Sequence, residues 1–570
     1  MGLLSRLLKK KQQAADITTP IGSKRDRMIP LYSVLVAVAI GLPLWWKQTE
    51  VYRANLPSEQ MIAWDSNPPP IQIPFNFMIE WDDGLEPSSD LVLDWDTKIE
   101  NRINSALMKD ANNDRLRTKL PVSLKFNLQR STGKNFDTLK PNNYLVSMKN
   151  HEKGQNSDKH PLLHVTDTRK WIAYTTKKKS SETLEIFEKS VLNYLVTEQG
   201  KLRQSVVTKD TQGSSKDLHA INYSPKYSLV FSLMNEDPES QITTWDIEGA
   251  LKQYMYPLLN KLSIMSDFKV QSQILRYTAL PIPPIASNNG TYITSDMLPN
   301  FINSAEWNMA SIEPVAPTIH FLLYIPKTTS RPLVIKDSNL VSSKTNGFMI
   351  SQWGGIHISN PPSDKQVYKF GTKELQPTME VFVSQLRELL GIQEVSITKG
   401  QHKNVKVDEL SPSNGVTDLE LDSLMCRWLI QNIRLAASTL GSLDRMIISL
   451  TNMVVHDSIK DLVSDALNRL DQTVHVLSTG ELSNAFTNSA FASGLAEKAF
   501  FDPDMVGMLY FPDEHKYAIY LPFFLPATMP VLSIIGFRLR QWKKNRGTKK
   551  DRSNPSPLKK PGNPAKPHDE

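Results

Sequence analysis

The sequence predicts a mixed α/β body with a helical C-terminal part, flanked by one transmembrane helix at each end. Three observations carry that prediction. Two uncharged stretches, 28–46 and 517–537, stand near the ends of a 570-residue chain. Between them, runs that alternate like strands take turns with runs of helical spacing as far as residue 391. From 417 to 501 only helical spacing remains.

The first stretch, MIPLYSVLVAVAIGLPLWW (28–46), follows seven basic and two acidic residues in 1–27. It ends in Trp45-Trp46-Lys47, where bulky rings suit an interface anchor better than a signal-peptide cleavage site. The second, YAIYLPFFLPATMPVLSIIGF (517–537), has the length to cross a hydrocarbon core of ~30 Å, and Arg538, Arg540, Lys543, Lys544 and Arg546 follow it. Positive charge outside both stretches puts both termini in the cytoplasm and 47–516 on the other side of the membrane. The basic tails 1–27 and 538–570 hold 18 basic and 5 acidic residues, so the segment between the spans carries −6 although the whole chain carries +7. The basic balance belongs to topology, and no basic face interleaved with aromatics points to nucleic acid.

After a polar connector (47–67), IQIPFNFMIEW (71–81) alternates as a strand, with Pro74 marking it as an edge or a bulge. A helix over 96–116 carries Ile99, Ile103 and Leu107 on one stripe, and 121–128 alternates again. Residues 131–180 read as polar, with short apolar pieces such as Leu162–Val165. A helix over 182–204 aligns Leu184, Phe187, Val191 and Leu195. The strongest unit runs from a strand at 227–238 through a helix at 245–262 to a strand at 268–277. PTIHFLLYIP (317–326) reads as a buried strand, and 332–337 and 347–359 continue in strand fashion, the latter with a turn or bulge at Gly354-Gly355. Residues 377–391 form a helix with Pro in its first turn and Gly391 at its end. Helices over 417–440, 442–477 (one or two) and 482–501 make a stalk or cover (417–516) on the α/β body (47–416). No repeat shows beyond a loose strand–helix–strand similarity.

A catalytic set is not evident. Cys426, the one cysteine, lies in the apolar helical LDSLMCRWLI, a setting for a buried thiol rather than an accessible nucleophile, and it excludes an intrachain disulfide. The 11 histidines form no metal-binding pair, and His320 reads as a satisfied sheet residue. The acidic ends Glu80, Asp82, Asp83 and Asn235, Glu236, Asp237 suit either turns or a metal or nucleotide-sugar site. Asn222 and Asn289 head glycosylation sequons. Pro522, Pro526 and Pro530 recur every four residues, leaving unpaired carbonyls along one face that suits a multi-subunit membrane bundle or a lipid path.

Two stretches resemble a known family. GLPLWWK (41–47) with Thr49-Glu50 and Tyr52-Arg53-Ala54, and AEKAFFDPDMVGMLYFPDEHKYAIYLPFFLP (496–526), are similar to the first-anchor and second-anchor signatures of the PIG-S family. The resemblance implies a non-catalytic subunit of the glycosylphosphatidylinositol (GPI) transamidase of the endoplasmic reticulum. It further implies that the nucleophilic cysteine belongs to PIG-K, that PIG-T, PIG-U and the GPI anchor attachment subunit are partners, and that no cofactor is held. A two-anchor lumenal glycan transferase and an unrelated membrane adaptor are the alternatives.

Overall fold

The computed structural model describes residues 52–82, 89–112, 120–130, 140–150, 163–175, 180–206, 221–287, 290–302, 316–395, 397, 405–407, 415–450 and 453–507, with scattered positions in 32–47 and 518–543. They gather into two compact units. The larger holds 55–449 and 457–501; the smaller holds 1–54, 450–456 and 502–570 as far as these are described. Part of 28–46 and part of 517–537 lie outside the described residues; the described positions of both are helical. Among the described residues no helix is long and apolar enough to cross a membrane.

The larger unit opens with α1 (Ser58–Ser66), β1 (Ile71–Trp81), α2 (Ser89–Asn112), β2 (Val122–Arg130), β3 (Asn143–Asn150), β4 (Leu163–Val165), β5 (Lys170–Thr175) and α3 (Ser180–Val206). Next come β6 (Lys226–Asn235), β7 (Ile242–Trp245), α4 (Ile247–Ala250), a π-turn (Leu251–Met255), α5 (Tyr256–Leu262) and β8 (Asp267–Arg276). β9 (Ile285–Ser287), β10 (Gly290–Thr294), β11 (Thr318–Ile325), β12 (Leu333–Lys336), β13 (Gly347–Ile350), β14 (Gly354–Ile358), β15 (Val367–Phe370) and α6 (Gln376–Leu389) follow. β16 (Val405–Val407), α7 (Asp418–Ser449), α8 (Asp457–Ser478) and α9 (Leu482–Phe500) complete it. The fold is mixed α/β with a helical C-terminal part.

The two main sheets repeat one plan. Their orders are β16-β4-β5-β3-β1-β2 and β13-β14-β11-β6-β8. Leaving out β16, each opens with a central strand (β1, β6), crosses through a helical segment to a parallel edge strand, and returns to the other side of the centre. Each then adds one more parallel strand with an antiparallel partner, β5 with β4 and β14 with β13, and closes with a helix, α3 or α6. Asp82 N–H donates to Met148 O at 3.0 Å where β1 ends, and Glu236 N–H donates to Ile325 O at 3.1 Å where β6 ends. Those bonds align Asp82 with Glu236 and Met148 with Ile325. The register then matches Phe77 with Phe231 and Tyr144 with Phe321. The matched rings stack in both halves, with centroids 4.9 Å apart in the first and 5.1 Å in the second. Phe187 of α3 and Phe382 of α6 cover them from the closing helix. The larger unit is thus an internal duplication, which the sequence alone conceals.

Strand alternation holds in β1, where Ile71, Ile73, Phe75, Phe77 and Ile79 are buried. Pro74 does not make it an edge: β1 lies between β2 and β3. The even residues of β1 turn their amides toward β3, as Asn76 N–H does to Asn142 O at 2.9 Å, and pairing with β3 starts only at Asn76. The missing N–H of Pro74 therefore falls on the side where the sheet has not yet begun. The polar segment 131–180 contains β3 and β5, interior strands: Ser147 interrupts the apolar run of β3 between flanking Asn and Lys, and that of β5 is only four residues long, 171–174. Gly354 and Gly355 form no turn; they begin β14. A Cβ at Gly354 would lie 1.9 Å from His320 O and one at Gly355 2.0 Å from Gln385 Oε1, so glycine lets β14 approach β11 and α6. The helical part divides at 450–456 rather than at 441, where Gly441 lies inside α7 against Asp65.

Candidate functional site

Helix α7 begins with a reciprocal cap: Thr417 N–H donates to Glu420 Oε2 at 2.9 Å and Glu420 N–H to Thr417 Oγ1 at 3.2 Å. Its first turns then carry four charged groups into the protein rather than into solvent. Asp422 is fully buried, and Arg169, just before β5, grips it with two bonds of 2.8 and 2.6 Å. Tyr144 OH and Asn142 N–H each donate to the same carboxylate at 3.1 Å. Burial pushes the Asp422 carboxyl up, against the pull of Arg169 and the other donors. Burial also works against the Arg169 charge, but its bond and attraction to Asp422 outweigh that and keep the guanidinium charged. Ser423 Oγ donates to Glu198 of α3, which Lys201 pairs at 2.7 Å.

The neighbouring side chains of α7 reach the second half of the duplication. Glu420 takes a two-pronged bond from Arg387 at the end of α6, at 3.1 and 2.7 Å. Arg427 donates to Gly391 O at 2.5 Å, and Lys261 of α5 donates to Asp418 Oδ1 at 3.1 Å. Asp422 and Ser423 thus hold the first repeat and Glu420 and Arg427 the second, while Asp418 bridges the two, its N–H donating to Asp167 O at 2.9 Å and its carboxylate lying 3.8 Å from Arg169 and 3.1 Å from Lys261. Because the acids are already paired with cations and Arg427 is bonded to a backbone carbonyl, this arrangement orients elements; among the described residues of the cluster it leaves no free nucleophile or base. Sequence reading missed Arg169, Glu420 and Asp422. The signal was present in the Thr417-x-x-Glu420 cap and in acids set within an apolar helical run.

Cys426 sits one turn beyond Asp422, buried, with Asn142 Nδ2 at 3.5 Å from its sulfur. Burial pushes its thiol well above the ordinary range, so it stays protonated. His320 is buried in β11 but is not fully satisfied: its ring stacks on Trp353 at 5.0 Å and its Nδ1 has no hydrogen-bond partner among the described residues.

The acidic strand ends are not brought together into one site. In the second sheet the chain leaves β6 for β8 on one side and β11 on the other, and the C-terminal ends of β6 and β11 are where such sheets take ligands. Here the polar groups are spent on one another. Asn235 Nδ2 donates to Gln241 O at 2.7 Å, Glu236 Oε2 accepts from Lys327 N–H at 2.9 Å, and Asp237 Oδ1 accepts from the amides of Glu239 and Ser240, both at 3.2 Å. Arg331 Nη1 donates to Gln241 Oε1 at 2.6 Å and to Pro361 O at 3.1 Å. This is turn chemistry. Glu80 and Asp82 are exposed, and Asp83 lies outside the described residues. Among the described residues no group of three or more His, Cys, Asp or Glu could hold a metal ion.

Asn222 is exposed, with its backbone carbonyl accepting from Tyr227 OH at 2.8 Å; Asn289 lies outside the described residues. Pro522 and Pro526 are helical and exposed, and Pro530 lies outside the described residues. Within the smaller unit, the stretch Tyr52-Arg53-Ala54 pairs with 453–455. Ala54 N–H donates to Val455 O at 2.9 Å, Val455 N–H to Tyr52 O at 3.2 Å, and Arg53 Nε to Met453 O at 3.2 Å. Arg53 also reaches Leu450 O, beyond the last residue of α7. Asp502 starts the short helix α10 (Pro503–Gly507) by accepting from Asp504 N–H at 3.0 Å.

The model of the family described as phosphatidylinositol-glycan biosynthesis class S protein, PIG-S, matches residues 32–545. The "GPI-anchor transamidase component PIGS" of Homo sapiens is 29% identical over 91% of this chain and 96% of its own length. Its namesake in Bos taurus is 28% identical over 91% and 97%. The "GPI transamidase component GPI17" of Saccharomyces cerevisiae is 25% identical over 91% of this chain and 92% of its own length. The match spans both halves of the duplication, the α7 helix that fastens them and both anchor signatures: the chain belongs to the PIG-S family.

Proposed function

We propose that this chain is a subunit of the GPI transamidase and acts there as a non-catalytic scaffold. Similarity over nine-tenths of its length to proteins named as components of that complex carries the first part of the reading. The complex cuts a proprotein near its C-terminal signal and joins the new carboxyl end to a GPI anchor in the endoplasmic reticulum. The scaffold part is supported by where the chemistry-bearing groups go. The Cys426 thiol is buried and protonated, the acids and bases of α7 hold one another, and the ligand edge of the second sheet is filled by its own loops. On this reading the attacking cysteine comes from PIG-K, and PIG-T, PIG-U and the GPI anchor attachment subunit are the other partners.

The proposal includes two membrane spans, 28–46 and 517–537, with 1–27 and 538–570 in the cytoplasm and 47–516 in the lumen, where Asn222 and Asn289 carry glycans. The uncharged length of each stretch and the basic flanks support it. Pro522, Pro526 and Pro530 then face other membrane helices, which supply donors for the carbonyls that the prolines leave open. Replacing all three by leucine is expected to weaken recovery of the partner subunits while the lumenal body still folds; unchanged recovery would count against that contact. The functional reading is tested by removing the gene and following GPI-anchored proteins at the cell surface. Their loss, reversed by this chain, is the expected result; unchanged surface levels would overturn the reading.

A further inference from the structure

A crevice of about 380 Å³ opens on the face of the first sheet opposite its aromatic core. Pro74, Asn76 and Met78 of β1, Asn127 and Gln129 of β2 and Asn143 of β3 form its floor. Ser478, the last residue of α8, and Thr479 and Gly480 after it form its wall. No side chain among these ionises.

The floor is organised. Asn127, Asn76 and Asn143 stand in register on three adjacent parallel strands. Asn127 Nδ2 donates to Asn76 Oδ1 at 2.9 Å, and Asn76 Nδ2 donates to Asn143 Oδ1 at 2.8 Å. The row therefore runs in one direction. It ends in an amide oxygen of Asn127 that can accept and an amide nitrogen of Asn143 that can donate, two strand spacings or roughly 10 Å apart. All three amides are half-buried. The fold does not demand this row, because the equivalent positions of the second sheet are Gln271, Val230 and His320. Gly480, at φ +84°, brings the wall down onto the row: a Cβ there would lie 3.3 Å from Asn76 Nδ2.

We propose that this crevice binds a neutral, hydroxyl-rich ligand, one or two hexose units of a glycan chain. A hydroxyl both donates and accepts, so a sugar ring satisfies both ends of the row. A carboxylate would leave the Asn127 oxygen without a donor, an ammonium would leave the Asn143 nitrogen without an acceptor, and neither would find an opposite charge within the crevice. The nearby charges, Lys140 and Glu481, pair with each other at 3.3 Å. The volume lies at the lower end of the ~300–1,000 Å³ of ligand clefts, suited to one or two rings. The glycan part of a lipid anchor and an N-linked glycan on a neighbouring protein share this chemistry.

The test is saturation-transfer NMR on the full chain in detergent with mannotriose as probe. Wild type is expected to transfer saturation to the sugar ring protons. Asn127→Leu, which removes the accepting end, and Ser478→Trp, which fills the crevice from the exposed end of α8, should each weaken binding at least about tenfold with an unchanged melting temperature. No transfer to about 10 mM sugar, or transfer that survives both variants, would overturn the proposal. A photoreactive residue at 478 in the assembled complex separates the sources. An adduct cleaved by peptide N-glycosidase marks a protein-borne glycan, and an adduct carrying labelled inositol marks a lipid glycan. An adduct to bare polypeptide would contradict a glycan site. The inference rests on the chemistry of the crevice, so sugar binding by a chain that copurifies with no transamidase subunit would leave it standing.

Discussion

The first and second repeats of the larger unit share strand order, strand directions and the stacked rings at their centre, yet they differ where matched positions face outward or abut other elements. Trp171 of the first repeat, packed edge-on to Phe77, is matched by His357 of the second, bonded to Thr378 Oγ1 at 3.0 Å. The amide row of Asn127, Asn76 and Asn143 is matched by Gln271, Val230 and His320. What the repeats keep is the apolar interior needed to close each sheet; what they change is the polar chemistry added to it. A duplicated scaffold thus supplies its own control, since a feature found in only one repeat is not required to form the fold. α7 touches both: Asp422 serves the first, Glu420 the second, and Asp418 lies against a cation of each.

That difference can be broken one side at a time. Asp422→Ala takes from the buried Arg169 its two short bonds, leaving the more distant Asp418 at 3.8 Å, and takes an acceptor from Tyr144 and Asn142, so a loss of about 3–5 kcal/mol is expected. Hydrogen exchange should rise first in β3, β5 and α3. Glu420→Ala should cost less, about 3 kcal/mol, because Arg387 keeps Gly415 O as an acceptor, and its exchange should rise in α6. Equal loosening of both repeats by either variant would show that α7 does not hold them separately.

Acid should also distinguish the repeats. Burial lowers the His357 pKa to about 4, below the ~6.5 of the unfolded chain. The unfolded state then binds the extra proton between those values. The contribution of His357 is complete above about pH 6.5 and is lost as pH falls toward 4, up to about 3 kcal/mol. Trp171 does not titrate, so the second repeat should loosen first on acidification, and His357→Gln should flatten that part of the profile. The smallest effect is expected at Asn222: Asn222→Gln should remove one glycan-dependent gel shift and change stability by less than about 0.5 kcal/mol.

Much of the fold was legible because apolar periodicity is local. β1, β2, β6, β8, β11, α3 and α6 follow from alternation or helical stripes read on a few residues at a time. The duplication was not. Its repeats coincide mainly at buried apolar positions, which many residue types can fill, and the segments between matched strands differ in length. β3 was hidden because Asn143, Ser147, Lys149 and Asn150 break its apolar run, although it sits next to the central strand. The clamp on α7 was missed for a different reason: an acid in an apolar helix shows its purpose only when the chain brings Arg169 or Arg387 to it from far away in sequence. Cys426 was the easier case, since its apolar neighbours already spoke for burial.

A scaffold role in the transamidase can be tested by purifying a tagged copy of the chain from cells in mild detergent and identifying what comes with it. A caspase-like cysteine protease should come with it, together with the other membrane subunits, and attachment activity should depend on the protease's cysteine and survive Cys426→Ala in this chain. A chain recovered alone, folded and active by itself in transferring a glycan or a GPI anchor, would contradict that role.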